Sequence, residues 1–207
     1  MTAASGPPGP ALVSARDLAL LRGERLVFAG LAFAVPEGGA LLLTGANGAG
    51  KSSLLRCLAG LLPPSDGQVL WQGEDAFADR AAHALRLRYA GHAEAIKPSL
   101  TVAENIAFWA RLWGGDPRAA LAAVGLDGLA DLPARVLSSG QRRRLSLARL
   151  LLGDPLLWLL DEPTVGLDAA SVARLGALLA AHRAKGGAVI AATHLPLPLP
   201  GAQELRL

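Results

Sequence analysis

Residues 45–52 read Gly45-Ala46-Asn47-Gly48-Ala49-Gly50-Lys51-Ser52, the spacing GxxxxGK[ST]. An apolar run, Ala40-Leu41-Leu42-Leu43, precedes it and reads as a strand. Lys51–Leu62 follows with a helical pattern, stopped by Pro63-Pro64. A strand, a glycine loop and a helix in that order let successive backbone N–H groups turn inward on phosphate oxygens. The helix N-terminus adds its positive dipole end. Lys51 supplies a mobile charge for β- and γ-phosphates, and the Ser52 hydroxyl is a candidate Mg²⁺ ligand. The candidate phosphate-binding residues are therefore Gly45, Ala46, Asn47, Gly48, Ala49, Gly50, Lys51, Ser52 and Ser53.

Further along, Leu156-Leu157-Trp158-Leu159-Leu160 is a second apolar strand, read over Pro155–Leu160 and ending in Asp161-Glu162. A carboxylate at a buried strand end suits Mg²⁺, which assigns Asp161. Glu162 alternates to the opposite side of the strand and is the candidate to polarise an attacking water. Between the two motifs, Leu137-Ser138-Ser139-Gly140-Gln141 reads as a helix N-cap opening a helix through Leu152.

The pattern around these motifs is α/β. Ala11–Leu21, Leu26–Val35, Gln68–Gln72, Leu87–Ala90 and Ala188–Ala192 read as strands, and Ala169–Arg183 as a helix. Thr101 with Glu104 three residues on is a capping box, and Val102, Ile106, Trp109 and Trp113 share one helical face. Pro117–Val124 and Gly128–Leu132 are expected as short helical pieces. The chain reads as one domain over residues 11–207 with an inserted helical lobe at about 95–145 and a Gly/Pro-rich disordered tail over residues 1–10.

Composition narrows the class. With 52% hydrophobic and 18% charged residues the chain can build a core and is no disordered polyelectrolyte. A net charge of +3 is too small for a nucleic-acid stripe, so no nucleic-acid partner is expected. The single cysteine, Cys57, excludes an internal disulfide. No apolar run approaches the roughly 18 residues of a transmembrane helix, so the chain is expected to have no membrane segment of its own.

The phosphate loop, the acidic strand end and Leu137–Gln141, in this order, resemble the ATP-binding cassette (ABC) ATPases over nearly the whole chain from Leu12. The resemblance implies a P-loop fold with a RecA-like core, an N-terminal antiparallel β subdomain and a helical lobe. It implies an ATP- and Mg-dependent hydrolase that forms an ATP-dependent homodimer, head to tail. Ser138, Ser139, Gly140 and Gln141 would then be the signature that faces the partner's nucleotide. Asp168, in Gly166-Leu167-Asp168, would be the D-loop acid, and His194, in Thr193-His194, the γ-phosphate contact. Two positions depart from the pattern. His92 stands where a Q-loop glutamine is usual. Leu20, Leu21 and Arg22 stand where an adenine-stacking aromatic is usual, and Arg22 there reads either as a planar cation on the base or as a surface arginine.

Gly91-His92, Ile96-Lys97, Leu100–Asn105, Ser138–Arg144 and Thr193–Ala202 are similar to the CcmA family, the ATPases of the cytochrome c maturation haem-export system. That resemblance implies a membrane permease subunit of the CcmB type and a peripheral position on the cytoplasmic face of the bacterial inner membrane. Another small exporter's ATPase would share every nucleotide motif. A soluble, non-transport ABC ATPase fits less well, because Lys51 to Ser138 leaves no room for a zinc insertion or long coiled coil. A P-loop GTPase or kinase is disfavoured by the LSSGQ segment and the lack of an NKxD motif.

Overall fold

The computed structural model describes residues 11–207; the first ten, expected to be a disordered tail, lie outside the described residues. A parallel sheet forms the centre, in the order β6-β7-β8-β3-β9. Its strands are β3 (Ala40–Thr44), β6 (Leu87–Ala90), β7 (Leu157–Asp161), β8 (Ala188–Ala192) and β9 (Gln203–Arg206). Every residue of β7 and β8 is buried, which is why both read as unbroken apolar runs: a parallel sheet is covered on both faces. Alternate residues serve the two faces. Leu157, Leu159, Ile190 and Leu43 pack towards α1 (Lys51–Leu58), with Leu54, Leu55 and Leu58. Trp158, Leu160, Val189 and Ala191 pack towards α6 (Ala169–Ala184), with Leu175 and Leu179.

An antiparallel sheet of β1 (Ala11–Arg22), β2 (Arg25–Pro36), β4 (Asp66–Trp71) and β5 (Glu74–Asp75), in the order β2-β1-β4-β5, covers the α1 side. Leu12, Val13, Leu18, Leu20 and Phe28 join its core to that of α1. A short helix, α2 (Arg80–Arg86), capped by Asp79, leads into β6.

The helical lobe has its own core. Val102 and Ile106 of α3 (Val102–Trp113) pack with Leu121 of α4 (Pro117–Ala123) and with Leu145 and Ala148 of α5 (Ser139–Ala148). The capping box at α3 is present, with Glu104 N–H donating to Thr101 Oγ1 and Thr101 N–H to Glu104 Oε2. Trp109 and Trp113 stack at 4.5 Å, with the Arg149 guanidinium over Trp109 and that of Arg88 over Trp113. Burial lowers both guanidinium pKa values to about 10. Helix α5 also feeds Leu147 into the core beneath α6, so it is shared by lobe and sheet.

Several boundaries differ from the sequence reading. Helix α1 stops at Leu58, not Leu62. Gly60 turns to a left-handed φ of 71°, and the N–H groups of Leu61 and Leu62 both close on the Arg56 carbonyl, ending the helix before the prolines act. Gly128–Leu132 shrinks to a 3₁₀ turn at Asp127–Leu129, and α5 gives way to a 3₁₀ turn at Arg149–Leu151. Strand β9 was not expected. It is four residues, three of them polar, and at a sheet edge, so no apolar run marks it.

Candidate nucleotide site

Strand β3 delivers the chain into the glycine loop, where Gly45, Gly48 and Gly50 adopt φ of 132°, 82° and 105°. These values are costly for any residue with a Cβ. At Gly50 a Cβ would also sit 2.6 Å from Val27 Cγ1. The loop curls around Lys51, whose ammonium donates to the carbonyls of Gly45 (2.7 Å) and Ala46 (2.9 Å). Ala49 N–H closes the loop on Ala46 O. Helix α1 begins at Lys51, so the N-terminal end of its dipole faces the loop. A cleft of about 480 Å³ opens here, within the range of small-ligand sites. Asn47, Gly48, Gly50, Lys51, Ser52, Ser53, Asp161 and Glu162 line it, so motifs 110 residues apart in the chain share one cavity.

Asp161 is 2% exposed and, among the described residues, has no cation within ion-pairing distance. Its Oδ1 accepts from the Ser52 hydroxyl at 2.9 Å, and Tyr89 Oη lies 3.4 Å from Oδ2. A buried, unpaired carboxylate beside a hydroxyl is a hard-oxygen set that fits Mg²⁺, which commonly takes one or two carboxylates plus substrate phosphates. The described residues hold no cluster of three or more His, Cys, Asp or Glu that could cage a metal alone.

Glu162 lines the same cleft as Asp161, contrary to the alternation expected along a strand. The reason is local: β7 ends at Asp161, and Glu162 lies beyond it with φ of 49°. Its N–H donates to Ala192 O at 2.8 Å, pinning it to the end of β8. Its carboxylate meets His194, with Nδ1 2.9 Å from Oε1 and the His194 N–H donating to Oε2 at 3.3 Å. His194 thus stands beside the cleft through its contact with Glu162.

The signature segment lies outside this cleft. Ser138 Oγ accepts from Gln141 N–H, and Ser138 N–H donates to Gln141 Oε1, a capping box at the start of α5. Those two side chains are consumed in capping. Ser139 is exposed and its hydroxyl makes no hydrogen bond among the described residues. Gly140 packs closely on the Gly166–Asp168 turn, since a Cβ there would lie 2.8 Å from Gly166 O. Asp168 caps α6 by accepting from Ser171 N–H, and the Ser171 hydrogen bonds lower its carboxyl pKa.

His92 is exposed and does not line the cleft. Arg22 does line it, together with its cross-strand partner Arg25 and Val27. Arg25, Val27, Tyr89 and Arg143 are not among the candidate site residues of the sequence. Nothing local marks Arg25 and Val27, which strand pairing carries to the cleft, or Tyr89, which reaches Asp161 from β6 without lining the cleft. Arg143 was visible only as one member of an arginine run.

Fold and cleft together define a P-loop ATPase of the ABC type, with a RecA-like core, an antiparallel β subdomain and a helical lobe. The family model described as ABC transporter matches residues 28–165. The chain is 54% identical over 203 residues to the cytochrome c biogenesis ATP-binding export protein CcmA of Paramagnetospirillum magneticum, covering 94% of this chain and 93% of that one. It is 52% identical to the CcmA of Rhodospirillum rubrum, covering 97% and 88%. Among solved structures it resembles cbiO1 of Clostridium perfringens, part of the ABC transporter complex cbiONQ, at 26% identity and a TM-score of 0.76, covering 90% and 79%. An ATP-binding subunit of an ABC transporter at 24% identity shares the fold, with a TM-score of 0.81 over 89% and 80%. The chain belongs to the ABC transporter family and, within it, to the CcmA group. As a member it binds and hydrolyses ATP.

Proposed function

We propose that this chain is the ATP-hydrolysing subunit of a haem exporter acting in cytochrome c biogenesis. The observation that carries the reading is near-full-length identity of about half to CcmA proteins, joined to an intact nucleotide cleft. In this reading Gly45–Ser53 bind the triphosphate, with Lys51 leaving the Gly45 and Ala46 carbonyls for the β- and γ-phosphates. Ser52 and Asp161 would hold Mg²⁺, which would supply charge to offset that on the phosphate oxygens. Glu162 accepts a proton from the attacking water, and His194 orients Glu162 and contacts the γ-phosphate. Two copies dimerise head to tail on ATP, and Ser139 and Gly140, at the positive end of α5, meet the partner's γ-phosphate.

The partner in the membrane is a permease subunit of the CcmB type, with this chain peripheral on the cytoplasmic face of the inner membrane. No helix among the described residues is long and apolar enough to cross a membrane. Its seat is the groove of about 400 Å³ lined by Glu94, Ala95, Ile96, Pro98, Arg135 and Arg142.

The test is genetic. Deleting the gene is expected to remove covalent haem from c-type cytochromes on haem-stained gels of membranes, leaving b-type cytochromes untouched. A Lys51→Ala copy is expected to fail to restore it, because turnover and not scaffolding is required. Normal c-type cytochromes in the deletion strain would discard the haem-export reading and leave the ABC ATPase class standing.

A further inference from the structure

Arg142, Arg143 and Arg144 are consecutive on α5, so they project about 100° apart. Each guanidinium serves a different segment. Arg142 donates to Leu137 O and pairs with Glu94 at 3.4 Å. Arg144 donates to the carbonyls of Val124 and Gly125 in the helical lobe. Arg143 turns inward and is 6% exposed. Its Nη1 donates to Gly91 O at 3.0 Å, and its Nη2 donates to Asp161 O at 2.7 Å and Glu162 O at 2.8 Å.

Among the described residues no carboxylate oxygen lies within 4 Å of this guanidinium, and the ion pairs are Arg142–Glu94 and His194–Glu162. Burying a charge is costly, and burial lowers the Arg143 pKa, while the Glu94, Asp161 and Glu162 carboxylates raise it from beyond ion-pairing distance. Direct contact is left to the three carbonyls, which satisfy Nη1 and Nη2 but not Nε. They belong to the segment preceding His92 and to the end of β7. Glu162 holds a left-handed φ of 49°, a state that persists in a non-glycine residue only when its surroundings over-determine it. Ala192 O holds the Glu162 N–H, and Arg143 holds the Glu162 carbonyl.

We propose that Arg143 is a positioning residue for ATP hydrolysis, clamping the Glu162 backbone from the signature helix so that the carboxylate meets the attacking water. The proposal rests on the reading of Glu162 as the water-activating group. One rigid side chain then joins the helix whose N-terminus faces a second copy to the hydrolytic carboxylate of its own chain. The side chain does not line the nucleotide cleft, so its loss should spare binding.

The experiment compares steady-state ATPase and ATP affinity of the full-length protein with those of Arg143→Met, Arg143→Lys and Glu162→Gln. Displacing a reacting group by about 1 Å can cost about 10²-fold in rate, so Arg143→Met is expected to lose about that much kcat. Its KM and equilibrium ATP affinity should stay within about twofold of wild type. In Arg143→Ala, millimolar methylguanidinium should restore part of the lost kcat at constant ionic strength, and methylammonium should not. Wild-type kcat in Arg143→Met, or a loss of ATP affinity that accounts for the rate loss, overturns the proposal. Should Arg143→Met not fold, Arg143→Lys decides, because it keeps the charge but not the three-carbonyl fork. Reduced kcat with unchanged affinity supports the clamp, and wild-type kcat refutes it. Glu162→Gln separates the two readings. If it is inactive while Arg143→Met turns over normally, only the clamp fails; if it is fully active, the Glu162 assignment fails and takes the clamp with it.

Discussion

Glu162 owes its position to backbone, not to side-chain reach. One residue past the end of β7, a left-handed turn swings its carboxylate into the cleft already holding Asp161. His194 then fixes it through two contacts, one from the ring and one from the main chain. Lys51 is held in readiness by two carbonyls that a triphosphate would replace as partners. Two substitutions separate binding from chemistry at this scale. Lys51→Ala is expected to weaken ATP binding, read by equilibrium titration with a fluorescent nucleotide. Glu162→Gln keeps the shape but loses basicity and one acceptor oxygen, so it should bind ATP normally and hydrolyse it at least ~10²-fold more slowly. A wild-type rate in that variant would remove Glu162 from the mechanism.

Among the elements, α5 is the one on which most depends. Its N-terminus carries the signature residues, its inner face feeds two cores, and its three arginines hold the 91–94 segment, the end of β7 and the helical lobe. The segment between β6 and α3 is also tied to it, through Arg142–Glu94. That segment is held open as a groove by Asn105, which is 7% exposed and whose side chain bonds both N–H and C=O of Lys97. The Lys97 side chain is left exposed beside the groove. Lys97→Glu should therefore reduce co-purification with the membrane subunit, on a tagged pulldown from membranes, while ATP binding is unchanged. Unaltered recovery with several substitutions across residues 93–100 would rule out the groove as the seat.

At the scale of the whole molecule, a single copy brings the phosphate loop, both acids and His194 together but leaves the Ser139 hydroxyl without a hydrogen-bond partner among the described residues. In the proposed head-to-tail dimer a second copy would supply one. On the proposed role of Glu162, the Glu162→Gln variant holds ATP unhydrolysed and should elute as a dimer with ATP and as a monomer without it on size-exclusion chromatography. Adding Ser139→Arg, a bulky cation at a positive helix end, should abolish that dimer. A monomer under every nucleotide condition, even with the membrane partner present, would contradict head-to-tail assembly.

The loop at 45–52 and the apolar strand ending in Asp161-Glu162 are legible in the sequence because both are local: fixed spacings of glycine, lysine, hydroxyl and carboxylate next to unbroken apolar runs. The fold class followed, since a parallel sheet covered on both faces leaves that continuous apolar pattern. The α3 cap was legible for the same reason, its two partners being three residues apart. What only the tertiary structure decided depends on groups distant in the chain. A guanidinium on α5 meets carbonyls of residues 91, 161 and 162, and the Arg22–Arg25 pair reaches the cleft through the β1–β2 hairpin. In sequence Arg143 cannot be told from Arg142 and Arg144. Which of three adjacent arginines is buried depends on how a helix is rotated against its neighbours, and that is set by packing across the whole core.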